Sequence, residues 1–357
     1  MDDLNERYEA LNDSFRTALI YHTGIDAGFF AEYNTLLHAL LYCLQQKVQF
    51  RLYADDANFG YAHGWEDYFR PFCPLVHEAF HHTYNLYRLP SWPVVCRKAW
   101  EERCLRLLRW KLKAGWRHWA GCWLAWSAYG GRTLLSQHVR FRPEGRFVIP
   151  ELGIDGDYLA AYRVADAIAW RLNEPVRREC AQLASGLHLP PSYAGCQIRG
   201  GDKVMETALL PPEHYVRLLR EQAPGQEVFV LTDDYRLFQR LQELAPEIRW
   251  HTLCTPEEQG YVNRSFTRAN AGEKRTRMVR FLASMEILKG ASLFVGSVTP
   301  GPSLYLSKLL YPRICPADCR LEDFPTVCRL PIAGRTRWAD NYLHTEYFGE
   351  KGARFSI

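Results

Sequence analysis

Between residues 195 and 310, short apolar runs alternate with helical ones. Residues 195–199 precede a helical pattern over 212–222, 228–231 precede 235–244, 249–253 precede about 274–289, and 292–296 precede 302–309. Parallel strands cannot be joined by a tight hairpin, so a strand–helix–strand rhythm commits this part of the chain to a parallel sheet covered by helices. Ligands of such sheets sit at the carboxyl ends of the strands. Polar residues gather at those ends: Arg199 and Asp202 after the first strand, Thr232, Asp233 and Asp234 after the second, Ser297 and Thr299 after the last.

The first half reads differently. Residues 31–49 carry Leu36, Leu37, Leu40, Leu41 and Leu44 at helical spacing, followed by a predicted strand at 50–53 and a loop at 54–64. Residues 92–126 read as helical and hold seven tryptophans, of which Trp116, Trp119, Trp123 and Trp126 share one face. Gly130-Gly131 ends that stretch, and Pro143-Glu144-Gly145 marks a turn. A third helical pattern runs over 157–184 through Leu159, Tyr162, Ala165, Ile168, Ala169 and Leu172. The predicted boundary lies near Leu189-Pro190-Pro191. It separates an N-terminal α/β domain (1–190), carrying a Trp-rich basic insert at about 92–142, from a C-terminal domain and tail (191–357).

At 357 residues the chain is long enough for two ordinary domains. Its formal charge of +4 is unevenly spread: residues 103–142 hold nine Lys or Arg and no Asp or Glu, so the remainder nets −5. The basic insert supports two readings. Trp on an interface with Lys and Arg on phosphates would dock a bilayer or a lipid-linked acceptor; an aromatic stripe at helical spacing is also what a core-facing helix shows. No nucleic-acid motif accompanies the basic residues, so nucleic acid is not an expected partner. The eleven cysteines are scattered without a CxxC pair. Cys315, Cys319 and Cys328 are too loosely spaced to define a metal site, and no metal is expected. The N-terminus is acidic and polar, and no apolar run reaches the ~20 residues of a membrane span. The expected location is cytoplasmic, with peripheral contact at the inner face of a membrane if the insert docks there.

Three clusters could carry chemistry. In CQIRGGDKVMETALLPPEHY (196–215) a strand ends on Arg199 beside Gly200 and Gly201, an arrangement suited to clamping a diphosphate. Glu206 could then accept a proton from an attacking hydroxyl. An Arg–Asp ion pair around a Gly-Gly turn explains the same spacing equally well. In VFVLTDDYRLF (228–238), Asp233 and Asp234 could hold a cation or a ribose, or could simply cap the following helix. In FVGSVTPGPSLYLSKLL (294–310), the hydroxyls of Ser297 and Thr299 precede a helix start, a phosphate-friendly setting weakened by Pro300 and Pro302. Neither a Walker A loop nor a GxGxxG fingerprint is present.

The stretch RGGDKVMETALLPPEHYV resembles the HxRRxDKxxxE…Y block of the α1,6-fucosyltransferase family, the core-fucosylating enzymes and their bacterial nodulation-factor relatives. Three further blocks follow the family's order: LLHALLYCLQQKVQF (36–50), YAHGWEDYFRP (61–71) and FVLTDD (229–234). The resemblance implies a GT-B-like α/β fold, two Rossmann-like domains facing a cleft. It also implies inverting, metal-independent transfer of a sugar from a nucleotide-diphosphate donor, GDP-fucose by default, to a saccharide acceptor. That donor is a co-substrate; no cofactor is implied.

Carried over by the resemblance, Arg199 binds the donor β-phosphate, Glu206 is the catalytic base and Lys203 tunes it. Gln197, Gly28, Asp202, Ser284, Ser297 and Thr299 fall on donor-contact positions, Tyr215, Asp233 and Asp234 on supporting ones, and His63, Trp65 and Glu66 on the acceptor side. Several of these depart from the pattern. Gln197 stands for a histidine, Gly200 for the second arginine and Ser284 for a base-reading acid, so the donor sugar is open to change. Two rival readings remain: a metal-dependent phosphohydrolase at Asp233 and Asp234, and a catalytically silent nucleotide- or glycan-binding protein.

Overall fold

The computed structural model describes residues 2–25, 27–85, 97, 100–101, 105–130, 132–136, 141, 145–200, 210–261 and 263–342. They form an α/β protein that divides into two compact units, Met1–Asn173 and Glu174–Ile357.

The first unit opens with helix α1 (Asp2–Ser14), strand β1 (Thr17–His22), helix α2 (Phe29–Gln46) and strand β2 (Val48–Tyr53). α2 buries Leu36, Leu37, Leu40, Leu41 and Leu44, the residues whose spacing predicted it, and stops at Lys47 in the left-handed conformation. Helices α3 (Ala79–Tyr84) and α4 (Leu105–Tyr129) lead to strand β3 (Thr133–Leu135). β1, β2 and β3 make a parallel sheet in the order β2-β1-β3, with Leu19 opposite both Phe50 and Leu134. A short antiparallel pair, β4 (Phe147–Ile149) and β5 (Ile154–Gly156), precedes helix α5 (Tyr158–Ala169).

The second unit contains α6 (Glu174–Ser185), β6 (Ala194–Gln197), α7 (Pro212–Gln222), β7 (Val228–Leu231), α8 (Tyr235–Leu244) and β8 (Trp250–Thr252). It continues through α9 (Asn263–Arg268), α10 (Ala271–Lys289), β9 (Leu293–Gly296), α11 (Gly301–Leu310), β10 (Ile314–Pro316), α12 (Phe324–Val327) and α13 (Ile332–Tyr342). Its sheet is wholly parallel, in the order β10-β9-β6-β7-β8. The strands read as continuous apolar runs because both faces are covered: Cys196, Val230 and Val295 are buried on one face with Tyr215, Leu219 and Leu241, and Phe229 and Phe294 are buried on the other.

Three features differ from the sequence-based expectation. The pattern over 157–184 is two helices. α5 ends at Ala169, the Trp170 N–H closing onto the Asp166 carbonyl (2.7 Å), and α6 starts afresh at Glu174 with Pro175 in its first turn, where the missing N–H costs no helical hydrogen bond. The division between units falls at Asn173/Glu174, ahead of the Leu189-Pro190-Pro191 boundary, because α6 packs on α10: Cys180 Sγ contacts the Val279 carbonyl at 3.7 Å and Arg275 pairs with Glu179. The tryptophan stripe of α4 does not face a core. Trp116, Trp119, Trp123 and Trp126 are 67%, 60%, 53% and 57% exposed. On its inward side Ala125 is buried with Cys122 and Tyr129 packed alongside, and Gly121 lies so close that a Cβ there would sit 2.9 Å from Tyr84 Cβ.

Candidate functional site

The strand order of the second sheet sets the position of its site. From β6 the chain steps outward through β7 and β8, then returns to lay β9 on the other side of β6. At such a switch point the two chain segments leaving neighbouring strands diverge and open a crevice above their carboxyl ends. Gln197 ends β6 opposite Gly296 of β9. Above them lie Ile198, Arg199 and Gly200 on one side, and Ser297, Val298 and Thr299 with the start of α11 on the other.

Arg199 has an acidic and an aromatic neighbour. Its Nε lies 3.6 Å from Asp233 Oδ2, and its guanidinium carbon lies 5.7 Å from the centre of the Tyr261 ring, within cation–π range. Asp233 ties its own loop to two others. Its Oδ1 accepts the Gly200 N–H (2.8 Å), its Oδ2 accepts the Tyr261 N–H (3.2 Å), and its own carbonyl accepts the Gly260 N–H (2.8 Å). Asp234 does different work. It caps α8 by accepting the Arg236 N–H (3.0 Å), and it takes the Arg236 side chain in a fork of 2.9 and 2.6 Å. That guanidinium is the first reason its carboxyl lies below the usual range. The capping role read from the sequence therefore applies to Asp234, and Asp233 is tied to Arg199.

The facing loop is held from beneath by Asp318, which follows β10. Its carboxylate accepts hydrogen bonds from the Ser297 hydroxyl and from the Val298 N–H (2.7 Å), and Ser297 Oγ lies 3.2 Å from Thr299 Oγ1. Burial pushes the Asp318 carboxyl up to about 6, against the pull of those hydrogen bonds. Gly296 lets α11 approach the strand: a Cβ there would meet Ser303 Oγ at 2.3 Å.

The other expected residues take varied positions. Gln197 is buried, and its Oε1 has no hydrogen-bond partner among the described residues. Tyr215 is buried in the core between α7 and the sheet, where desolvation raises its hydroxyl well above its ordinary value. Ser284 is buried on α10 and donates to the Arg280 carbonyl of its own helix at 3.0 Å, so its hydroxyl is already engaged. Gly28 is the N-cap of α2 in the first unit, and a Cβ added there would meet nothing within 4 Å. Asp202, Lys203 and Glu206 lie outside the described residues.

On the YAHGWEDYFRP loop, Trp65 is 1% exposed, stacked on Phe69 (4.4 Å) and donating to the Arg70 carbonyl (3.2 Å). It is a core residue and cannot face an acceptor, which corrects the expectation. His63 and Glu66 are exposed. The loop's shape comes from Asp67, whose carboxylate accepts the N–H groups of Tyr61, Ala62 and His63 at 2.6, 2.9 and 2.9 Å.

Asp318, Tyr261 and Asp67 escaped the sequence reading. Asp318 follows a three-residue strand too short to register as a periodic run, and the contacts of Tyr261 come from chain far away in sequence. Among the described residues no group of three or more His, Cys, Asp or Glu is arranged to hold a metal ion. Cys315 and Cys319 are free thiols whose ionisation burial pushes up, Cys315 to about 11.

No family model and no curated protein matches the chain. Solved structures do. The NodZ α-1,6-fucosyltransferase co-crystallized with GDP is 13% identical, with a TM-score of 0.47 over 84% of this chain and 95% of that one. POFUT1 in complex with GDP is 11% identical, with a TM-score of 0.45 over 84% and 98%. A variant of Arabidopsis thaliana FUT1 in complex with GDP is 9% identical, with a TM-score of 0.46 over 86% and 72%. At these scores and identities the likeness carries no argument about activity; the chain is similar in structure to fucosyltransferases.

Proposed function

We propose that this protein is a glycosyltransferase that moves a sugar, fucose by default, from a GDP-linked donor to a hydroxyl of a saccharide acceptor, with inversion and without a metal. The observation that carries the reading is Arg199, paired with Asp233 and Tyr261 on the segment that leaves β6 at its switch point with β9. A diphosphate in that crevice would meet a guanidinium and the positive end of a helix.

In the proposed step the acceptor hydroxyl oxygen attacks the anomeric carbon while the bond from that carbon to the β-phosphate oxygen breaks. The acceptor proton passes to Glu206, and the electron pair leaves with the nucleoside diphosphate. Charge develops on the β-phosphate, so a positive group placed there stabilises it. Lys203 would tune Glu206, and Gln197, Ser297 and Thr299 would line the donor side. The phosphohydrolase reading fits less well. Asp233 already accepts two backbone N–H groups beside Arg199, and Asp234 is engaged by Arg236.

The test is Glu206→Gln assayed with GDP-fucose and a panel of oligosaccharides. Donor binding should persist while turnover falls by about 100-fold or more, within the range for a lost general base. Near-normal turnover would remove Glu206 from the mechanism.

A further inference from the structure

We infer that the exposed face of α4 is a docking surface for an anionic lipid bilayer, a property independent of the transfer reaction. On the inner side of α4, Gly121 lies against Tyr84 and Ala125 is buried, while Leu112 and four tryptophans face outward. At 100° per residue, Leu112, Trp116, Trp119, Trp123 and Trp126 fall within an arc of about 80°. All five are more than half exposed. Trp116 and Trp119 lie with ring centroids 5.3 Å apart, so these two rings touch along the ridge.

Charge decides the occupant. Leu105–Tyr129 contains five Lys or Arg and no Asp or Glu. The exposed side chains of Arg106, Arg109, Lys113 and Arg117 run along one flank of the ridge. Indoles beside cations match the boundary of a bilayer, where amphipathic rings sit at headgroup level and Lys and Arg meet phosphates. A second copy of this chain fits poorly, since apposed ridges would bring cations together with no carboxylate on either helix. No helix among the described residues is long and apolar enough to cross a membrane, so α4 would lie on the surface.

The helix is fixed to its unit at its C-terminal end. Tyr129 OH lies 2.9 Å from His81 Nε2 and bonds Glu78, Arg51 sits 5.7 Å over its ring, and Cys122 packs beside Phe80 against the buried Ala125. A rigid attachment lets the ridge meet a flat surface without first folding the helix, which lowers the cost of binding.

The test is co-sedimentation of the full chain with phosphatidylcholine vesicles, with and without about 30 mol % phosphatidylserine. Pelleting should be at least about tenfold stronger with the anionic vesicles, each cation near the surface adding about fivefold, and should fall as salt is raised. Arg109→Glu/Lys113→Glu/Arg117→Glu should abolish it and Trp119→Ser/Trp123→Ser should weaken it. Both variants should keep the wild-type circular dichroism and melting temperature, because every altered side chain is exposed. Lipids brominated in the acyl chain should quench wild-type tryptophan fluorescence, a readout that needs no variant. Absence of pelleting, pelleting indifferent to charge reversal, or absence of quenching would overturn the proposal. So would a dimer, or binding to soluble oligosaccharides, that the tryptophan substitutions abolish while vesicles do not bind.

Discussion

Arg199 sits between a carboxylate and an aromatic ring. Asp233 supplies the one and Tyr261 the other, while the same carboxylate ties down the Gly200 and Tyr261 backbone. The arginine and the aspartate were legible in the sequence because both stand at the ends of apolar runs. Asp318 and Tyr261 were not, because their partners lie far off in the chain. Glu32 was missed because its partners are backbone N–H groups, which no side-chain pattern marks, and it yields a signed prediction. It is buried in α2, where its Oε1 accepts the N–H groups of Gly24 and Ile25 and its Oε2 has no partner among the described residues. Burial raises its carboxyl from 4.5 to about 7. Between those values the folded state keeps a proton that the unfolded state has lost, so this group's contribution to stability falls as pH rises from 4.5 to about 7 and is flat above. Glu32→Gln keeps the accepting oxygen and removes the titration. Relative to wild type it should gain stability progressively over that window, reaching about 3 kcal/mol at neutral pH. Urea melts at several pH values read this directly, and a constant difference between the two proteins would refute it.

The elements of the second unit follow their sequence closely. The patterns at 212–222, 228–231 and 235–244 are α7, β7 and α8 with the same limits. Fully buried strands give unbroken apolar runs, and amphipathic helices between them give a clear period. Reading failed where tertiary structure overrides local pattern. The stretch 157–184 breaks at 170–173, where Leu172 pairs with Phe69 and the Arg171 carbonyl accepts the Arg70 N–H (2.7 Å). The α4 stripe has core periodicity with no core against it, since spacing reports that a face is apolar and not what covers it. How α11 meets β9 is also an element-scale property, set by Gly296. Gly296→Ala would force a Cβ to 2.3 Å from Ser303 Oγ and to within 2.9 Å of the Phe294 ring. It should destabilise the protein by about 1–3 kcal/mol, the usual cost of overpacking, seen as a lower urea midpoint at unchanged slope. An unchanged midpoint would mean that α11 is free to retreat from the strand.

At the scale of the whole molecule, the chain separates its charges as it separates its units. Residues 103–142 carry the basic excess and belong to the first unit, while the arginine proposed to handle phosphate, Arg199, belongs to the second. The two-domain α/β organisation was legible, but the position of the division was not. Proline at 190–191 reads as a linker, whereas packing of α6 on α10 draws the division back to Asn173/Glu174. The central claim is that the β6–β9 switch point binds a nucleoside diphosphate through Arg199. Thermal unfolding of the full chain with GDP, UDP, dTDP or CMP tests it most directly, because a ligand of the native state stabilises it by about 2.7 kcal/mol at a hundredfold excess over Kd. GDP should raise the melting temperature of the wild type, the other three should raise it less, and Arg199→Ala should lose the shift. No shift with any of the four, or an equal shift in Arg199→Ala, would contradict the account.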